Sequence, residues 1–296
     1  MAIVVVVKVV IIGSGGRLGG AIARHFGSNH RVVAFDRKGL DLSRPEIIDD
    51  RLLPIEFDLL INTAAITGVD YCEHHQKEAY SVNAGGAGQM ARICASKGAR
   101  MVQVSTDYVY DGTEPGEKSE TSPLNPLGVY AKSKLAGELA VQAEEPTALI
   151  LRTAWIFGPD RPSFIDLILD RAVEEERVDA IADKYASPTF STDFAGWLEP
   201  LVSACPSGGV FNCANSGGCS WQQYAQEALR LGEELGLELN AKRVMPLLIS
   251  EMEAFIAERP TYTILSTMKL SGVIQDGVRS WQAAVGDYLA TFYAKS

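Results

Sequence analysis

The chain has 296 residues, 47% of them hydrophobic, with a formal net charge of -10 at neutral pH and a pI near 5.0. This is ample material for a buried core in one large domain or two, and the acidity excludes a general nucleic-acid or anionic-membrane binder, which needs a basic footprint. Five cysteines (Cys72, Cys94, Cys205, Cys213, Cys219), odd in number and without a C-x-x-C pair, read as reduced thiols of a cytoplasmic protein rather than as disulfide staples.

The chain opens on an apolar run through Ile12 that runs straight into glycines. It lacks a basic n-region and is too short to span a membrane, so it reads as a buried strand, Lys8 to Ile12, with an N-terminal extension over residues 1–7. Gly13-Ser-Gly-Gly-Arg-Leu-Gly19 follows, then Ala21-Ile-Ala-Arg-His-Phe at helical spacing. Leu18 breaks the G-x-G-x-x-G pattern, but G-x-x-G-x-x-G fits through Gly13, Gly16 and Gly19. Glycines here allow a sharp turn and a close backbone approach to a pyrophosphate, which the helix N-terminus would meet with N–H donors. The next strand, Arg31 to Phe35, ends in Asp36, placed where a carboxylate would accept from an adenosine ribose. Arg37 and Lys38 come next and would suit a 2′-phosphate, so NAD(H) and NADP(H) both stay open.

A helix is expected from Pro45 to Leu53, and an apolar, doubly buried strand from Phe57 to Ala65. A long helix is expected from Glu78 to Lys97, with Gly85, Gly86 and Gly88 allowing close packing. His74-His75 before it has no further ligand at metal spacing and reads as a solvated helix start. The strand Arg100 to Tyr110 turns polar at Ser105, Thr106 and Asp107, and strand carboxyl ends are where ligands bind in an open parallel sheet. After a Gly- and Pro-rich loop (Gly112 to Pro126) comes Tyr130-Ala-Lys-Ser-Lys134. On a helix, Tyr130 and Lys134 lie one turn apart on one face. A fixed cation lowering a tyrosine pKa from near 10 by roughly three units would supply about 4 kcal/mol of differential stabilisation and make the phenol an acid–base group at neutral pH. Thr147 to Phe157 is the following strand. This alternation predicts a Rossmann-like, doubly wound parallel sheet with right-handed crossovers.

These phrases together resemble the extended short-chain dehydrogenase/reductase superfamily and, within it, the dTDP-4-dehydrorhamnose reductase family. The resemblance also rests on Asn62-Thr-Ala-Ala, Ser105-Thr-Asp-Tyr-Val-Tyr-Asp-Gly112, Asn125 through Glu138, Leu151-Arg-Thr-Ala-Trp-Ile-Phe-Gly158, Asp183-Lys-Tyr-Ala-Ser-Pro-Thr189 and Glu258-Arg-Pro. It implies that Tyr130 is the proton donor, that Lys134 lowers its pKa and holds the nicotinamide ribose, and that Thr106 bonds the reacting carbonyl. It further implies Gly16, Arg17 and Leu18 at the pyrophosphate, Asp36 at the adenosine ribose, Asp41-Leu42 at the adenine end, Ala65-Ile66-Thr67 at the cofactor's middle, and Asp107 and Trp155 at the sugar. The implied reaction is NAD(P)H-dependent reduction of the 4-keto group of a nucleotide-linked deoxysugar, dTDP-4-dehydro-L-rhamnose first among them. Related 4,6-dehydratases resemble Ser-Thr-Asp-Glu at this strand end; Tyr108 stands where that Glu would be, which disfavours dehydration. The resemblance also covers a non-catalytic regulatory subunit of methionine adenosyltransferase, and other sugar-nucleotide reductases or epimerases. A homodimer is the implied assembly, and the magnesium some relatives hold at a dimer contact finds no matching ligands here, so no metal is expected.

Beyond Phe164 the alternation loosens. Expected are helices from Ser163 to Glu176, Ser191 to Ala204, Ser220 to Leu235 and Trp281 to Tyr293, with short strands from Asp179 to Ala182 and Gly209 to Ala214. Residues 1–160, with parts of 185–220 returning, would form the dinucleotide-binding domain, and residues 161–296 a smaller α/β substrate lobe, with the substrate in the cleft between them. The segment from Leu247 to Arg259-Pro260, and Ile66, depart from the family's usual residues and leave the particular sugar open.

Overall fold

A computed structural model describes residues 6–293; the extension expected over the first residues therefore lies outside it up to residue 5. The first half runs β1 (Lys8–Ile12), α1 (Arg17–Gly27), β2 (Arg31–Phe35), α2 (Pro45–Leu52), β3 (Leu59–Asn62), α3 (Val69–His74), α4 (Gln76–Tyr80), a π-helical turn (Ser81–Gly86), α5 (Ala87–Lys97), β4 (Arg100–Thr106), α6 (Val129–Glu144) and β5 (Leu149–Thr153). The second half runs β6 (Ile156–Phe157), α7 (Phe164–Glu174), β7 (Val178–Ile181), β8 (Tyr185–Ala186), β9 (Thr189–Phe190), α8 (Ser191–Ala204), β10 (Gly209–Asn212), β11 (Cys219–Ser220), α9 (Trp221–Glu234), β12 (Val244–Leu247), β13 (Tyr262–Thr263), α10 (Met268–Ser271) and α11 (Trp281–Phe292).

Six strands form one sheet in the order β10-β5-β4-β3-β1-β2, and every neighbouring pair is parallel. Successive side chains of a strand point to opposite faces, and here both faces are buried. Val9, Ile11, Leu59, Ile61, Val102, Val104, Leu149 and Leu151 meet α1 and α8 on one side. Val10, Ile12, Leu60, Met101 and Ile150 meet α2, α5 and α6 on the other. This is the doubly wound architecture that the apolar runs predict. The strand at Gly209 belongs to this sheet, beside β5.

A second core gathers α7, α9 and α11 over β7 and β12, with Ile165, Leu169, Val178, Tyr224, Leu229, Val244, Trp281 and Tyr288 buried in it. Ser220 caps α9 in a reciprocal box with Gln223, as its residue type favours. Inside this core the Asp166 carboxylate accepts from Ser163 and from the hydroxyls of Tyr288 (2.7 Å) and Tyr293 (2.6 Å), fastening α7 to α11.

Three expected elements are interrupted. The helix expected from Glu78 to Lys97 is broken by the π turn, and α3 precedes it, so that His74 ends a helix rather than starting one and His75 stacks on Tyr71 at 3.9 Å. The strand expected through Tyr110 ends at Thr106 in a short 3-10 turn. The strand expected through Phe157 breaks after Thr153, where Trp155 takes a left-handed φ of 41°, uncommon for a bulky side chain. In each case tertiary contacts at the sheet's carboxyl edge override the local pattern.

Candidate active site

Chain order reverses in the sheet between β1 and β3, since β2 flanks β1 on one side and all later strands lie on the other. Such a switch point opens a crevice at the strand carboxyl ends, and a cavity of about 660 Å³ lies there. Gly13, Gly16, Leu18 and Gly19 line it, together with Asp36, Arg37, Asp41, Leu42, Ala65, Ile66 and Thr67. The turn is glycine for steric reasons. Gly13 sits at φ +89°, and a Cβ on Gly19 would stand 2.2 Å from the Gly13 carbonyl oxygen. Helix α1 begins at Gly16 with no capping side chain and no acidic residue in its first turn, so its first amides and its positive dipole end face the cavity without an internal anion. The cradle suits a dinucleotide, since the glycine turn and the uncapped helix start offer amides to phosphates at one point along its length.

The side chains within that frame are already engaged. Asp36 accepts from the Gly39 amide at 2.8 Å, and Asp41 from the amide and hydroxyl of Ser43. Arg37 leans toward Glu78 at 3.6 Å. Arg17 lines the cavity, but its guanidinium donates to the carbonyls of Ile156 (2.9 Å), Arg161 (3.1 Å) and Pro162 (2.6 Å). Its backbone, not its side chain, remains at the helix start.

At the end of β4, Thr106, Tyr130 and Lys134 come together, all buried. The Thr106 hydroxyl accepts from the Tyr108 amide at 3.2 Å and donates to Asp107 at 3.1 Å, and its nearness to the Tyr130 phenol favours ionisation there. Burial nevertheless dominates and holds Tyr130 well above the ordinary tyrosine range. Burial thus opposes the lowering expected of Lys134. The Lys134 ammonium donates to the Val104 carbonyl at 2.7 Å, and burial lowers its own pKa to about 8, against a raising influence from Glu138. Ser105 beside them keeps a buried hydroxyl with no partner. Asp107 is enclosed rather than open to the cavity. Burial raises its pKa, opposed by the charge of Lys184, and its carboxylate accepts from Thr263. Tyr108 packs edge-on against Tyr130 at 5.7 Å, with Lys184 over its other side at 4.6 Å. Trp155 packs against the second core, on Trp221 (5.5 Å) and Tyr224 (6.0 Å).

Several residues that hold this arrangement carry no local sequence signal. Asn83, on the π turn, accepts from the Ile66 amide (2.8 Å) and donates to the Ile66 carbonyl (3.0 Å) and the Ser133 hydroxyl (3.0 Å); it clamps the cavity wall to the helix bearing Tyr130. Gly137 on that helix admits the Asn83 carbonyl so closely that a Cβ would lie 2.1 Å from it. Glu73 accepts the first amide of α6, Val129 N–H, at 2.7 Å, a favourable place for an anion. Deeper in, Glu138 and Arg152 form a pair at 2.7 Å, 2% and 3% exposed, and Arg152 also donates to the Tyr110 hydroxyl at 2.9 Å. Asp70 joins Arg259 across the two halves, which holds its carboxyl down at about 2. Among the described residues no group of three potential metal ligands converges, and no helix is long and apolar enough to cross a membrane.

A dinucleotide cradle at the switch point, beside a tyrosine and a lysine one turn apart on a helix facing a strand-end threonine, defines the short-chain dehydrogenase/reductase class. A family model described as the RmlD substrate binding domain matches residues 7–294. The chain belongs to that family, which includes the dTDP-4-dehydrorhamnose reductases. It is similar to the dTDP-4-dehydrorhamnose reductase of Mycobacterium tuberculosis strain H37Rv, 36% identical over 289 residues that cover 96% of this chain and 92% of that one. It is also 31% identical to the spore coat polysaccharide biosynthesis protein SpsK of Bacillus subtilis, over 95% of this chain and 96% of that one. Among solved structures, a dTDP-4-dehydrorhamnose reductase of Clostridium acetobutylicum superposes with a TM-score of 0.88 at 30% identity, over 96% of this chain and 99% of that one. The Bacillus anthracis enzyme of the same name, in complex with NADP, gives a TM-score of 0.89 at 28% identity, over 97% of this chain and 100% of that one.

Proposed function

We propose that the chain is an NAD(P)H-dependent reductase of the 4-keto group of a nucleotide-linked deoxysugar, with dTDP-4-dehydro-L-rhamnose as the substrate and dTDP-L-rhamnose as the product. The observation that carries the reading is the convergence of Thr106, Tyr130 and Lys134 at the end of β4, next to a cavity fitted to a dinucleotide. A nicotinamide dinucleotide held in that cavity would supply the hydride. Tyr130, kept protonated by burial, gives its phenolic proton to the keto oxygen, and the Thr106 hydroxyl orients that oxygen. Lys134 supplies the positive charge that stabilises the phenolate left behind. Tyr108, wedged between Tyr130 and Lys184, offers no carboxylate base for water loss, so reduction is favoured over dehydration. The names of the similar proteins, mostly 4-keto reductases of dTDP-sugars, support the same choice.

The test is a panel of nucleotide-linked 4-keto sugars presented with NADPH and with NADH, followed by absorbance loss at the nicotinamide band. Turnover of the dTDP-linked 4-keto-6-deoxy sugar is expected. Tight cofactor binding with no turnover on any sugar would instead favour a regulatory, non-catalytic role.

A further inference from the structure

The loop between β6 and α7 forms one wall of the dinucleotide cavity and is held there by two arginines of α1. Arg17 spends all three guanidinium nitrogens on its carbonyls, at Ile156, Arg161 and Pro162. Two turns along the helix, Arg24 grips Asp160 with paired bonds of 2.7 and 2.8 Å. Asp160 sits at φ +83°, a backbone conformation uncommon outside glycine, so the Arg24 grip holds the loop in a shape it would not take unassisted.

The tether brings Arg161 to the cavity wall at the glycine turn. Among the described residues the Arg161 side chain has no carboxylate partner. Its charge is felt at the Arg17 guanidinium, where it adds the smallest of the lowering influences to that of burial, against Asp166, Tyr224 and Tyr288. The other cations on the wall stand elsewhere: Arg37 leans on Glu78, and Lys38 follows Asp36 at the adenosine end. The start of α1, meanwhile, offers amides and no acid. The glycine turn thus faces one exposed, uncompensated guanidinium. We propose that Arg161 binds the pyrophosphate of the dinucleotide, and that Arg17, rather than being a phosphate ligand, is the positioning residue that carries Arg161 there. This rests on the dinucleotide reading of the cavity and leaves the Arg17 backbone amide, with Gly16 and Leu18, at the helix start.

The test compares wild type, Arg161→Ala and Arg17→Met by calorimetric binding of NADPH, ADP-ribose and adenosine 2′-monophosphate, the last lacking a pyrophosphate. Arg161→Ala is expected to weaken NADPH and ADP-ribose about tenfold, the scale of one lost charge-assisted phosphate contact, and to leave adenosine 2′-monophosphate within twofold. Arg17→Met is expected to weaken the same two ligands and, unlike Arg161→Ala, to speed amide hydrogen exchange over residues 156–162. Undiminished ADP-ribose affinity in Arg161→Ala would overturn the proposal, as would an equal loss for adenosine 2′-monophosphate. Wild-type protein that binds neither NADPH nor ADP-ribose would refute the dinucleotide reading itself.

Discussion

In the first half the strands run four to seven residues and, apart from the edge strand β2, are largely buried on both faces, whereas beyond Phe164 most strands shrink to two residues. The first half is held by a continuous core and by the buried Glu138–Arg152 pair. The second is held by its own core and by polar straps reaching back to the first. Asp70 accepts from Arg259 and from the amides of Ile256 and Ala257, and Thr263 donates to Asp107. The difference teaches where chemistry and choice are separated. The proposed proton donor, Tyr130, sits on the core-held side, and the segment that departs from the family pattern is fastened by polar bonds.

The contrast can be broken in order of effect. Tyr130→Phe should lower kcat by at least about a hundredfold, the loss expected of a missing general acid, with cofactor affinity nearly unchanged; steady-state rates and binding isotherms check both. Arg152→Met leaves Glu138 as an unpaired buried carboxylate and should cost about 3–5 kcal/mol of unfolding free energy, seen as a lower urea midpoint for the whole chain. Arg259→Met should cost about 1–2 kcal/mol and raise KM for the sugar more than it lowers kcat, since it frees only the segment beside the cleft. If the Arg259 variant destabilised the chain as much as the Arg152 variant, the distinction between core-held and strap-held halves would be wrong.

A further effect is in pH. Lys134 has a folded pKa of about 8 against an ordinary 10.5. Between those values the native chain holds fewer protons there than the unfolded chain, so the penalty is complete below pH 8 and is relieved as pH rises toward 10.5. The stability difference between wild type and Lys134→Met should therefore move in favour of wild type from pH 8 to pH 10, by up to about 1.4 kcal/mol per pH unit. A difference that stays flat over that range would show that burial does not depress the lysine.

Much of the frame was legible because it obeys local rules. The glycine turn, the apolar strands and the i, i+4 pairing of Tyr130 with Lys134 are written in neighbouring residues. What supports them is not. Asn83 lies inside an apparently regular helix and gains its role only through the π turn that aims it at Ile66 and Ser133. Glu73 and Val129, or Glu138 and Arg152, meet only after folding. The break at Trp155 and the direction of the Arg17 guanidinium are likewise set by tertiary packing. The Tyr130–Lys134 spacing was readable, but the effect of burial on both groups was not, because desolvation depends on what packs around them.

The most direct test of the account is a single-turnover comparison of wild type and Tyr130→Phe, mixing each NADPH complex with the dTDP-linked 4-keto-6-deoxy sugar and following hydride loss from the cofactor. The account predicts a slowing of about a hundredfold or more with NADPH bound as tightly as before. An equal rate in the two proteins would contradict it and remove Tyr130 from the chemistry.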